Sequence, residues 1–189
     1  MDELKKRILR DSRVLNDQVL KVDSFLNHQI DVHLMDRMGH VFFDHFKDYN
    51  ITKILTIEAS GIAVACSVAR YFHVPTVFAR KTPSITTVDD QYAAEVFSFT
   101  RQKTFTIMVN RRFLTPRDRV LLVDDFLAKG QALLGLIKIV HQSGAEPVGA
   151  GIVIEKAFQD GGSLLRNAGI EVYSLAQVAS LKNGKVHFS

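Results

Sequence analysis

An α/β fold, with a central parallel sheet flanked by helices and a small hood from the N- and C-terminal segments, is predicted by three observations. Through the middle of the chain, short aliphatic runs at 51–57 and 120–123 alternate with helix-periodic stretches at 62–72 and 131–142. That order winds a parallel sheet with helices on both faces. Two of the runs end in a glycine turn, at Gly61 and Gly130, that opens straight into a helix. No repeat, low-complexity tract or second domain boundary interrupts the 189 residues, a length suited to one well-buried core. The expectation is a single domain, with a core at about 31–154 and the hood drawn from about 1–30 and 155–189.

Residues 2–15 read as an amphipathic helix, with Leu4, Ile8 and Leu15 near one face. Residues 14–30 lack that period. They read either as a packed connecting segment or as a recognition segment, because Leu20 and Phe25 can sandwich a flat ring while the Asn27 amide pairs with a carbonyl and a ring N–H together. Asp31 is placed to cap the next helix, 32–48, whose Leu34, Met38, Val41, Phe42, Phe46 and Tyr49 form an apolar stripe. His28, His33, His40 and His45 are five and seven residues apart, not the i, i+4 spacing that holds a metal on one helix face. They read as surface or partly packed side chains.

The strand at 51–57 ends in Glu58-Ala59-Ser60-Gly61 and gives way to a helix at 62–72, where Cys66, in the apolar run IAVACSVA, reads as a small buried side chain. A strand at 75–79 is followed by Arg80 and Lys81. Residues 82–102 are polar, contain Pro83 and read as a long loop or loose hairpin; a loop of that length in a compact domain usually carries function, here as a lid. A strand at 104–109 precedes the run at 120–123. Ser143-Gly144 stops the helix at 131–142, and a buried strand at 147–154 leads into Glu155, Lys156 and Phe158. Gly161-Gly162 opens a short helix at 163–167, and 171–175 and 185–188 are expected as small strands of the cap.

Composition narrows the function. With 47% hydrophobic and 23% charged residues the chain matches a globular protein. No apolar run reaches bilayer length, and MDELKKRILR lacks a signal-peptide apolar region. A single cysteine cannot form an internal disulfide, so a cytoplasmic location is expected, with no membrane partner. The net charge of +4 suits an anionic substrate, while scattered basic residues without aromatic interleaving argue against nucleic acid.

The chemistry concentrates at RVLLVDDFLAKGQALL, residues 119–134. A strand delivers Asp124 and Asp125 to its carboxyl end, where open α/β sheets place ligands. Beyond it Gly130 lets the chain approach a phosphate at a helix N-terminus, whose free N–H groups and dipole favour a dianion. The acids repel phosphate and are better partners for sugar hydroxyls or a bound Mg²⁺. The turn at Glu58, Ala59, Ser60 and Gly61 is a second anion cradle, and Arg80 and Lys81 can neutralise an anionic group, from the same or a neighbouring subunit.

The run VLLVDDFLAKGQAL at 120–133 resembles the signature of the type I phosphoribosyltransferases, and TIEASG at 56–61 is a second match. QVLKVDSFLNHQID at 18–31 and GIVIEKAF at 151–158 resemble the bacterial xanthine-using branch of that family, so the likeness covers nearly the whole chain. The resemblance implies the type I phosphoribosyltransferase fold, a homodimer, and transfer of 5-phosphoribosyl from phosphoribosyl diphosphate (PRPP) to xanthine in purine salvage. Mg²⁺ would accompany PRPP, with no protein ligand assigned to it. Asp124 and Asp125 would serve the ribose, while Ala128, Lys129, Gly130, Gln131 and Ala132 bind the 5′-phosphate. The turn at 58–61, with a strained peptide just after the acidic position, would hold the diphosphate, and Leu20, Asn27, Lys156 and Phe158 the base. Many family members carry threonines and a second glycine in the phosphate loop, whereas this loop has no hydroxyl. The load shifts to backbone N–H groups, as in the xanthine-using branch. Alternatives are a PRPP-binding regulator, for which no helix-turn-helix precedes the domain, or a transferase preferring guanine, hypoxanthine, adenine or orotate.

Overall fold

The apolar run at 120–123 shows no polar alternation because it is covered on both sides. In the computed structural model, which describes residues 1–81, 90–98 and 102–189, Leu121 and Val123 belong to one hydrophobic cluster and Val120 and Leu122 to another. The elements are α1 (Asp2–Asp11), β1 (Arg13–Leu15), β2 (Val19–Lys21), a π-helical turn (Asp23–Asn27), α2 (Val32–Phe46), β3 (Lys53–Ile57), α3 (Gly61–Phe72), β4 (Thr76–Ala79), β5 (Gln91–Ser98), β6 (Lys103–Asn110), β7 (Arg119–Leu127), α4 (Gln131–Ser143), β8 (Glu146–Lys156), α5 (Gly161–Asn167), β9 (Val172–Ser180) and β10 (His187–Phe188). The sheet runs β10-β9-β8-β7-β3-β4. All its neighbours are parallel except β10 on β9. Helices α1, α2 and α3 bury their stripes on one face, and α4, α5 and the β5–β6 hairpin cover the other. The fold is the expected α/β layering.

Several boundaries follow local chemistry. The Asp31 carboxylate accepts from Leu34 N at 3.1 Å and starts α2. Gly144, at φ 76°, ends α4 in the left-handed region.

Three expectations are corrected and one is narrowed. The first helix stops at Asp11, where extended Ser12 donates its N–H to Ile8 O, and residues 13–15 pair with 19–21 as a hairpin that leaves Leu15 45% exposed. Cys66 is exposed, because α3 buries Val64, Ala65, Val68 and Ala69 and the helical period turns Cys66 to the opposite side. Of the two forms expected for 82–102, loop or loose hairpin, the described part takes the second: it supplies β5, which pairs antiparallel with β6 and is bound to α4 through the Gln142 amide, which pairs with both backbone groups of Ala93. The remainder of the expected lid, 82–89 and 99–101, lies outside the described residues. Finally, β9 and β10 extend the main sheet instead of standing in a cap. Buried Leu175, Ala176 and Val178 on β9 need a core, and the strand finds it beside β8.

Candidate active site

The strand order reverses between β3 and β7: β3 leads through α3 to β4 on one side, and β7 through α4 to β8 on the other. The splayed turns leave a crevice at the carboxyl ends of these strands, where an open α/β sheet binds its ligand. The turn after β3 contributes Glu58, whose Oε1 accepts Lys81 N at 2.6 Å, and a cis peptide between Glu58 and Ala59. Gly61 closes that turn against β7. A Cβ there would lie 2.2 Å from Thr56 Oγ1 and 2.8 Å from Asp124 Oδ1, so only glycine fits.

Asp124 and Asp125, each 6% exposed, lie near the carboxyl end of β7, which runs on to Leu127. Asp125 N donates to Asp124 Oδ1 at 3.0 Å. Burial, reinforced by the charge of Asp125 and opposed by Lys81, pushes the Asp124 carboxyl well above the usual carboxylate range. The phosphate loop follows, with Gly130 at φ 74° leading into α4. A brace that the sequence did not reveal holds this loop. Gly161 N donates to Ala128 O at 3.0 Å, and a Cβ at Gly161 would lie 2.3 Å from the same carbonyl. Lys129 adds an ion pair with Asp160 at 3.5 Å.

Asp124, the loop residues 128–132 and Lys156 share the wall of one cleft of about 610 Å³. Lys156 Nζ donates to Gln18 O at 2.8 Å and sits 5.8 Å over the Phe126 ring; burial lowers its pKa. Lys81 Nζ lies 5.5 Å over the ring of Phe105, another wall residue. Asp125 is not among the lining residues, nor are Glu58, Ala59, Ser60, Gly61 and Arg80. Arg80 pairs its backbone with Met108. Leu20, Asn27 and Phe158 also lie off this wall. Leu20 alternates inward on β2 and packs in the core at 5% exposure, whereas Asn27 and Phe158 are exposed. Gln18 and Val19 from the hairpin, Gln159, and Val96, Phe97 and Phe105 from β5–β6 line the cleft in their place. The distant hairpins left no local signature of this role.

Beside Lys156, Glu155 is 3% exposed and accepts from Arg166 at 3.0 and 3.1 Å, Ser174 at 2.6 Å and Gln177 at 3.2 Å. It ties β8 to α5 and β9, directly under the cleft. Burial pushes its carboxyl up, but these partners outweigh burial and hold it below the ordinary glutamate range. Glu155→Ala is therefore expected to cost about 2–3 kcal/mol, because it strands buried donors. The loss is moderated by Arg166, whose side chain is 42% exposed and rehydrates. The stabilisation is full above the unfolded glutamate pKa of about 4.3 and disappears as pH falls through the lower folded value. Melting curves of wild type and variant should converge on acidification from about pH 5 to about pH 3.

Comparison with known proteins agrees with this geometry. The model of the phosphoribosyl transferase domain family matches residues 22–163. The chain belongs to the phosphoribosyltransferases. A protein named xanthine phosphoribosyltransferase from Ruminiclostridium cellulolyticum is 56% identical over 189 residues, covering 100% of both chains. Another of that name from Clostridium novyi is 53% identical over 188 residues, covering 100% of this chain and 99% of the relative. Among solved structures, the adenine phosphoribosyltransferase of Rhodothermus marinus superposes with a TM-score of 0.76 at 23% identity, covering 94% of this chain and 100% of its own. The Giardia lamblia enzyme complexed with 9-deazaadenine gives 0.71 at 28% identity, covering 78% and 81%. These phosphoribosyltransferases thus share the type I layering. Within this chain, the dianion loop, the buried acid and the lysine lie on one cleft wall. No helix of the described residues is long and apolar enough to cross a membrane.

Proposed function

We propose that the chain transfers the 5-phosphoribosyl group of PRPP to xanthine, giving xanthosine monophosphate (XMP) and diphosphate, as a step of purine salvage. The observation that carries this reading is the single cleft bearing the Gly130 loop, Asp124 and the half-buried ammonium of Lys156. The two relatives named for xanthine support the choice of base. An ammonium has only donors, so it can donate to the 6-oxo group of xanthine and offers nothing to the 6-amino group of adenine.

In this reading the N–H groups of 128–132 anchor the 5′-phosphate and convert remote binding energy into positioning. Asp124 and Asp125 hold the ribose hydroxyls and favour positive charge on the ribose as the anomeric C–O bond breaks. The turn at Glu58, Ala59, Ser60 and Gly61, with Arg80 and Lys81, receives the departing diphosphate. A nitrogen of the base attacks C1′, and no covalent enzyme nucleophile is needed. Leu20, Asn27 and Phe158 are assigned to the base together with Lys156. Their present positions require the hairpin and the Phe158 turn to close over it.

The oxygen-rich donor set suits Mg²⁺. Among the described residues no group of three or more His, Cys, Asp or Glu could hold a metal by itself; an ion arriving with PRPP would find its protein carboxylates in Asp124 and Asp125 and would supply charge neutralisation for the leaving group. A cytoplasmic homodimer completes the proposal.

Initial rates of diphosphate release with PRPP and Mg²⁺ on xanthine, guanine, hypoxanthine and adenine test the function. Xanthine should be fastest, and no release with any base would end the enzyme reading. Lys156→Met should raise KM for xanthine roughly tenfold or more while leaving KM for PRPP unchanged.

A further inference from the structure

Thr56 lies on β3, two residues before the Glu58 turn, fully buried, and its hydroxyl has no hydrogen-bond partner among the described residues. A buried hydroxyl left alone is destabilising, and such groups in native proteins call for a partner present in another state. A carboxylate oxygen bordering the same glycine, Gly61, is the candidate. Thr56 Oγ1 and Asp124 Oδ1 flank one point over Gly61, 2.2 and 2.8 Å from where a Cβ would stand. Gly61 is thus the gap across which the two side chains face each other. Asp124 Oδ1 already accepts one bond, from Asp125 N at 3.0 Å, and a carboxylate oxygen has a second lone pair to offer.

We propose that Thr56 is a positioning residue for Asp124, its hydroxyl donating to Oδ1 across Gly61 once the donor is bound, so that Oδ2 is left for the ribose hydroxyls. With both lone pairs of Oδ1 committed, the carboxylate plane is fixed by one bond from its own strand, β7, and one from the neighbouring β3. It then cannot swing away as charge develops at C1′. The threonine needs no contact with substrate and acts only through the aspartate. This inference rests on the reading of the cleft as a phosphoribosyl-transfer site.

Thr56→Val keeps the shape and removes the donor; Thr56→Ser keeps the donor. Steady-state diphosphate release with PRPP, xanthine and Mg²⁺, together with thermal melting, reads both. Thr56→Val should lower kcat roughly tenfold, the loss expected for a hydrogen bond to a charged group. KM for PRPP should change by less than about threefold, because the bond serves the transition state more than the ground state. Thr56→Ser should restore kcat to within about threefold of wild type. The melting temperature of Thr56→Val should equal or exceed that of wild type, since an unpaired buried hydroxyl has been removed. A wild-type kcat in Thr56→Val overturns the proposal, as do equal losses in Thr56→Val and Thr56→Ser. Asp124→Asn measured alongside separates the two readings. If it is inactive while Thr56→Val is normal, the positioning role fails and the transferase survives. If both are normal, both fail.

Discussion

Combined Asp124→Asn and Asp125→Asn substitution is expected to lower diphosphate release by on the order of a thousandfold, with the fold intact. The amide keeps the volume and one acceptor of each side chain but removes the negative field at the ribose. That field is strong because both groups are 6% exposed, in a site where water screens little. Stability should move the other way. The folded-state pKa of Asp124 lies above its unfolded value, so as pH rises past the unfolded pKa of about 3.9 the unfolded chain ionises first and stability is lost. At neutral pH that penalty is in force, and an amide escapes it. The double variant should therefore melt no lower than wild type at pH 7, while losing turnover. Intact turnover and PRPP affinity would contradict the assignment of the cleft.

Gly61→Ala is the second large effect. A methyl group there would sit 2.2 Å from Thr56 Oγ1, on a fully buried residue, and 2.8 Å from Asp124 Oδ1. Accommodation by movement of the turn away from β7 separates residues 58–61 from Asp124, the two sides of the proposed site. A misplacement of about 1 Å costs on the order of a hundredfold in rate. Activity should fall by that factor with circular dichroism unchanged. Adding Thr56→Ala removes the closer of the two atoms and should recover part of the loss, making the pair non-additive. Without such recovery, steric pressure at Gly61 is not the cause.

Much of this site was readable one segment at a time. The Asp31 cap, the apolar stripe of α2, the acids near the carboxyl end of β7 and the left-handed glycine before α4 are all local features, written in neighbouring residues. Other features were misread for equally physical reasons. Cys66 sits in a largely apolar string, and only packing against α2 and the sheet shows which side of that helix is buried. Val172–Ser180 had too weak a pattern to distinguish a cap strand from a sheet strand.

The partners that complete the cleft were beyond local reading altogether. Glu155 finds Arg166, Ser174 and Gln177 on two other elements, Lys156 meets Gln18 across 138 positions, and Thr56 faces Asp124 over Gly61. The chain's order of residues specified its layers, its turns and the acids and glycines of a phosphoribosyl-transfer loop, because hydrophobic period and backbone freedom act over a few residues. Which carboxylate faces the cleft, what braces the loop and which hydroxyl is left waiting for a partner depended on strands brought side by side from distant parts of the chain. Contacts of that kind arise from packing in three dimensions and carry no signature in local spacing.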